Sequence, residues 1–143
     1  MRLIPVAVVL TSLSACGPQL SVVVPAAPHA CATMRGEAGI TARLYFGRTI
    51  KGGGVVDEAA WKRFLAEQVT PRFPSGFTVF DGYGQWRQRA TGRIIQEPST
   101  VIEIAAGKDI DTIWKFEEVR ADYRTAFNQE SVGLVISENC MSF

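Results

Sequence analysis

Three side chains that could do chemistry alternate within one short segment: Asp81, Tyr83 and Gln85. Alternate residues of a β-strand emerge on one face, so a carboxylate, a phenol and an amide would stand side by side. Trp86 follows directly and offers a stacking surface. Arg48, Arg72 and Arg87 supply guanidinium forks suited to a carboxylate or phosphate. If the chain is catalytic, Asp81 is the acid/base and Tyr83 the hydrogen-bond donor. Asp81 would then need a pKa raised toward neutrality, for which burial beside Phe80 and Trp86 is the available cause. The competing reading is a solvated sheet face, with Trp86 serving the core or a dimer contact. Glu130 and Ser131 read as a turn cap, and Glu117 with Glu118 as a solvated helix flank.

The single histidine, His29, lies in the Pro/Ala-rich stretch 22–30 and is expected to be a solvated spacer residue. The domain itself therefore has no histidine to act as general base or metal ligand, or to complete a Ser-His-Asp triad. No cofactor and no metal site are expected.

The elements that must position these residues follow from patterning. Residues 41–47 read as a first strand. Lys51-Gly52-Gly53-Gly54 is a flexible connection, because it lacks the spacing of a phosphate-binding loop. Asp57 opens a helix whose face carries Trp61, Phe64, Leu65 and Gln68, and Pro71 ends it. A strand starts at Phe77 and runs to Trp86; Gly82 and Gly84 inside it suggest a bulge or a close backbone approach. The return strand begins at Arg93, and Pro98 implies an edge position or a bulge. Asp109 or Asp111 caps a second helix with the stripe Ile113, Phe116, Val119, Tyr123 and Phe127, ended by Asn128. Residues 131–136 form the last strand. The order βαββαβ predicts a ferredoxin-like α+β domain, an antiparallel four-stranded sheet with two helices on one face.

The N-terminal segment carries an address. Met1-Arg2 precedes an apolar run that ends in Leu13-Ser14-Ala15-Cys16. A basic start, a short apolar core and small residues before a cleavage point make an export signal. Cys16 after Leu-Ser-Ala resembles the lipobox of bacterial lipoproteins, which implies cleavage before Cys16 and lipidation of its sulfur. Gly17, rather than Asp, follows, and this resemblance implies the outer membrane, facing the periplasm. A soluble periplasmic or secreted protein is the alternative. The expected organisation is a signal peptide over 1–15, a lipidated Cys and spacer over 16–37, and one domain over 38–143. Of the fifteen basic residues, cleavage removes Arg2, leaving fourteen against fourteen acidic ones. Such a neutral chain has no global field to hold nucleic acid. With Cys16 assigned to lipid, Cys31 and Cys140 remain as an even pair in an oxidising compartment. The βαββαβ order sets the start of its first strand beside the end of its last, so a disulfide is expected between them.

Leu44-Tyr45-Phe46-Gly47, Val69-Thr70-Pro71-Arg72-Phe73-Pro74, Asp81-Gly82-Tyr83-Gly84-Gln85-Trp86 and Gln129-Glu130-Ser131-Val132 resemble the markers of a bacterial family of small exported proteins of unknown function. The resemblance spans about residues 40–143 and implies no activity. The expected function is a non-catalytic envelope module that binds a small ligand or a partner, with Asp81, Tyr83, Gln85, Trp86, Arg48 and Arg72 as ligand-binding candidates. The alternatives are a small enzyme of the dimeric α+β barrel type around Asp81 and Tyr83, and a structural module assembling through an exposed sheet face. The expected partners are the membrane, through the lipid, and a ligand, an envelope protein or a second copy.

Overall fold

The computed structural model describes residues 28–143. The signal segment, Cys16, most of the spacer and the His29 side chain lie outside the described residues. Helix α1 (Pro28–Thr33) leads into β1 (Glu37–Gly47), α2 (Glu58–Phe64), β2 (Thr78–Arg87), β3 (Ile94–Ala106), α3 (Ile110–Phe127) and β4 (Gly133–Met141). The stretch 28–33, expected as extended spacer, is thus helical, and β1 begins four residues earlier than its aromatic core suggests. Cys31 sits in α1 and is bonded to Cys140 of β4, with Cα atoms 5.5 Å apart.

All pairings are antiparallel and the strand order is β2-β3-β1-β4, the ferredoxin-like plan. One face of the sheet is covered. Ile40, Ala42, Leu44 and Phe46 of β1 and Ile102 and Ile104 of β3 point into it. They meet Trp61 and Phe64 of α2 and Phe116, Val119 and Tyr123 of α3. Alternation in the strands and helical spacing in α3 thus converge on one core. Phe46 is its hub, with edge-on contacts to Trp61, Phe64 and Tyr123 at centroid distances of 5.3, 6.1 and 4.7 Å. Burying each such side chain contributes about 1.5–3 kcal/mol.

The helix boundaries follow from their caps. Asp57 accepts a hydrogen bond from the Ala60 amide at 2.7 Å, and Asp109 accepts from the Thr112 amide at 2.8 Å. Of the two candidate caps for α3, Asp109 is the one used. Asn128, left-handed at φ 49°, ends α3. After Phe64 the helix widens into a π turn, Leu65–Val69. The extra residue rotates the helix face, so Val69, fully buried, completes the apolar side in place of Gln68. Simple 3.6-residue periodicity places Gln68 there and misses the widening.

Strand β3 is continuous through Pro98, which pairs with Tyr83. At Pro98 the ladder with β1, which begins at Ser99, has not yet started, so the missing N–H faces no strand. The register of β2 against β3 is also unbroken across Gly82 and Gly84; neither marks a bulge.

Candidate functional site

Asp81, Tyr83 and Gln85 do share one face of β2, the side on which the helices pack. The helices stop short of this edge strand, so all three side chains are solvent-exposed. Tyr83 Oη donates to Gln96 Oε1 at 3.3 Å, and Gln96 Nε2 donates to Gln85 Oε1 at 2.6 Å. Trp86 and Phe80 point to the opposite face, paired with Ile95 and Val101. Two expectations are therefore corrected. Trp86 cannot stack over a ligand held by Asp81, Tyr83 and Gln85, because strand parity sends it through the sheet. Nor do Phe80 and Trp86 bury Asp81, for the same reason.

The arginines are committed elsewhere. Arg48 is buried; its Nε and Nη2 donate to Val56 O at 3.0 and 2.7 Å, and its Nη1 donates to Thr100 Oγ1 at 3.1 Å. Its guanidinium lies 5.1 Å from the Trp61 ring centroid. Thr100 Oγ1 in turn reaches Asp81 Oδ1 at 3.4 Å, the one link from Arg48 to the expected site. Arg72 joins α2 to α3 through Glu118 at 2.9 Å and Asp122 at 2.8 Å, and donates to Gln68 O. Glu118 and Glu117, expected as a solvated flank, each pair with an arginine, Arg72 and Arg120. Arg87 donates to Gly92 O within the β2–β3 turn. These contacts occupy the forks of Arg48 and Arg72 that an anionic ligand would need, while Arg87 commits its Nε.

A better-formed site lies on the uncovered face. A furrow of about 580 Å³ runs across the end of β1. Tyr45 lines it on one side, Trp86 and Ile95 on the other, and Glu97 and Ser99 form its floor. Lys51, Gln129, Glu130 and Ser131 close one end. Three of the four segments on which the family resemblance rests meet here although they are far apart in sequence: Tyr45 and Gly47, Trp86, and 129–131. The fourth, around Arg72, instead joins the two helices.

Local folding explains the furrow's shape. Gly52, Gly53 and Gly54 adopt positive φ, which L side chains rarely adopt, and return the chain so that Ile50 N bonds Gly54 O. The α3–β4 turn is pinned to this loop: Gln129 Nε2 donates to Thr49 O at 2.7 Å and Asn128 Nδ2 to Lys51 O at 3.3 Å. Glu97 accepts from the Thr49 amide at 3.2 Å and lies over Gly47, where a Cβ would come within 2.6 Å of its carboxylate. Lys51 and Glu130 form an ion pair at 2.8 Å. Their hydrogen bond raises the Lys51 pKa and lowers that of Glu130. Both shifts favour the charged forms, so neither group is tuned to exchange a proton near neutral pH. Glu130 was expected merely to cap a turn. Its partner in the glycine loop is 79 residues away, and no local signal reveals the pairing.

The model of DUF3574, a family of proteins of unknown function, matches residues 41–143. No curated protein matches the sequence. Among solved structures, a phage SAM lyase in complex with S-methyl-5′-thioadenosine superposes with a TM-score of 0.56. It is 19% identical, over 73% of this chain and 90% of that one. Its apo form gives 0.55 at 19% identity, over 74% and 89%. GlnK of B. subtilis with ATP gives 0.43 at 12% identity, over 72% and 84%. At these identities the lyase shares the fold.

Proposed function

The chain belongs to the DUF3574 family, which carries no assigned activity, and from its own geometry we propose that it is a non-catalytic module that binds a small molecule. The binding site is the furrow between Tyr45 and Trp86. The observation that carries this reading is the convergence of three distant marker segments on one cleft with aromatic walls and polar ends. Tyr45 and Trp86 suit a flat or ring-shaped apolar surface. Glu97 and the Lys51–Glu130 pair suit hydroxyl or amine groups on the same ligand. The opposed pKa shifts of that pair favour binding over acid–base catalysis.

The same proposal places the protein in the bacterial envelope, cut before Cys16 and held by lipid in the outer membrane, facing the periplasm. The Leu-Ser-Ala-Cys segment supports this, as does the Cys31–Cys140 disulfide, a bond suited to an oxidising compartment. Among the described residues, no helix is long and apolar enough to cross a membrane. Cys16→Ser is expected to release the protein from the membrane fraction; unchanged fractionation rejects the lipid anchor.

Native mass spectrometry of the full chain purified from envelopes tests the binding site. S-methyl-5′-thioadenosine, the ligand of the structural neighbour, and a soluble chitooligosaccharide serve as added ring probes. A bound small molecule is expected, lost in Trp86→Ala and kept in Asp81→Asn. Retention in Trp86→Ala rejects the furrow, and no bound molecule under any of these conditions rejects the reading.

A further inference from the structure

Gly82 and Gly84 lie in the middle of a regular strand, on its uncovered face. Glycine there weakens the strand, since it adds chain entropy and packs nothing. Neither residue has positive φ. A Cβ built on Gly82 meets nothing closer than 3.7 Å, and one built on Gly84 likewise nothing closer than 3.7 Å. The contrast with Gly47 is direct, because there the chain's own Glu97 excludes a side chain. Nothing among the described residues asks for glycine at 82 and 84, and the remaining cause is a close approach by another backbone or a ligand.

We propose that a second copy of this chain packs face to face on the uncovered side of the sheet, with its ridge seated in the trough over Gly82 and Gly84. The register supplies both halves of the fit. Phe80, Val101 and Tyr45 fall in one row across three strands, and form the ridge. Gly82 and Ser99 fall in the next row, and Gly84 and Glu97 in the one after; the two glycines leave the trough at the β2 end of these rows. Ridge and trough lie side by side on one surface, so two copies related by a two-fold axis fill each other's trough. Phe80 is 49% exposed, Trp86 45% and Val135 50% on this face, so its apolar side chains are open to contact.

Charge and size agree with this occupant. In the middle of the face Arg43 pairs with Glu103, so these two charges are neutralised before any association. Asn139 Nδ2 donates to Thr41 Oγ1, which pairs these polar groups before any association. Four strands ~4.8 Å apart and about nine residues of ~3.3 Å rise give a footprint of ~570 Å². The accessible surface of a corrugated sheet exceeds its footprint, which brings it near the ~800 Å² per partner of a standard interface. The proposal rests on the glycines rather than on the small-molecule reading, but it shares Tyr45, Trp86 and Ser99 with the furrow, which a copy seated here would roof.

Sedimentation equilibrium of the full chain in density-matched detergent tests it. Wild type is expected as a dimer. Gly82→Val and Gly84→Val are expected to fold with equal or higher melting temperature, because a β-branched residue suits an open strand position. Both should weaken self-association by at least about tenfold. Asp81→Asn, on the other face of the same strand, should leave the dimer intact. If circular dichroism shows a valine variant misfolded, Gly84→Ala and Phe80→Ser take its place. A monomeric wild type, or glycine variants that dimerise as wild type does, overturns the proposal. So does a loss of thermal stability in the glycine variants at unchanged mass, since the glycines would then serve the monomer.

Discussion

The two faces of one sheet have been put to opposite uses. On the covered face, Ile40, Ala42, Leu44 and Phe46 of β1 and Ile102 and Ile104 of β3 are apolar and buried in one core with residues of α2 and α3. On the other face, the same strands present Tyr45, Phe80, Trp86 and Val135 to solvent beside glycines and paired polar groups. The first surface holds the fold together and tolerates little change. The second leaves its apolar side chains open to contact. A single strand, β2, carries both messages, and strand parity alone decides which side chain speaks to which side.

The largest test of this contrast compares two phenylalanines. Phe46→Ala should cost about 3–5 kcal/mol in urea denaturation, because it empties the centre of the aromatic cluster. Phe80→Ala, measured at a dilution where the chain is monomeric, should change stability by only about 0.5 kcal/mol. Equal losses would break the comparison. Next in size is the bridge. Cys31→Ser with Cys140→Ser should cost about 2–4 kcal/mol, since the bond closes a long loop. Intact mass should rise by two hydrogens on reduction, and no rise removes the bridge.

Tyr123 sharpens the covered side. Its Oη donates to Gly47 O at 2.9 Å, and Tyr123→Phe should cost about 1–3 kcal/mol by orphaning that carbonyl. Burial pushes its phenol from 10.0 up to about 12. An unfolded chain therefore loses this proton near pH 10 while the folded one keeps it. Stability from this source is fully present below pH 10 and is lost as pH rises toward about 12. Tyr123→Phe should flatten that alkaline loss. The smallest effect belongs to the open side: Glu130→Gln should leave the unfolding midpoint unchanged within error, because its pair with Lys51 is fully exposed to solvent. It should still alter probe binding in the furrow, and no change there weakens the furrow reading.

Much of the covered face was legible in the sequence. Aspartate caps, helical spacing in α3 and strand alternation each fixed local structure, and their order fixed the topology. The disulfide was legible because parity and topology pointed to one pair. The site was harder to read. Asp81, Tyr83 and Gln85 do stand together, as their spacing requires, but how far the helices extend over β2 is a tertiary matter, and it left them exposed. Arg48 looked free until Val56, Thr100 and Trp61 closed around it. The furrow joins Tyr45, Trp86, Lys51 and Glu130, contacts between residues up to 79 apart that no local pattern encodes. The segments that resemble a known family were its only advance signal. The π turn at Leu65–Val69 was invisible for a related reason, since periodicity assumes the regular pitch that the turn abandons.

The link between Cys31 and Cys140 makes the stretch between them a covalent ring of chain. A protease that cuts the exposed glycine loop at 52–54, or the β2–β3 turn, opens the ring but does not divide it. Both pieces stay joined to each other and to the N-terminal segment until the bond is reduced. Where the bond stays oxidised, a clipped molecule of this design stays in one piece.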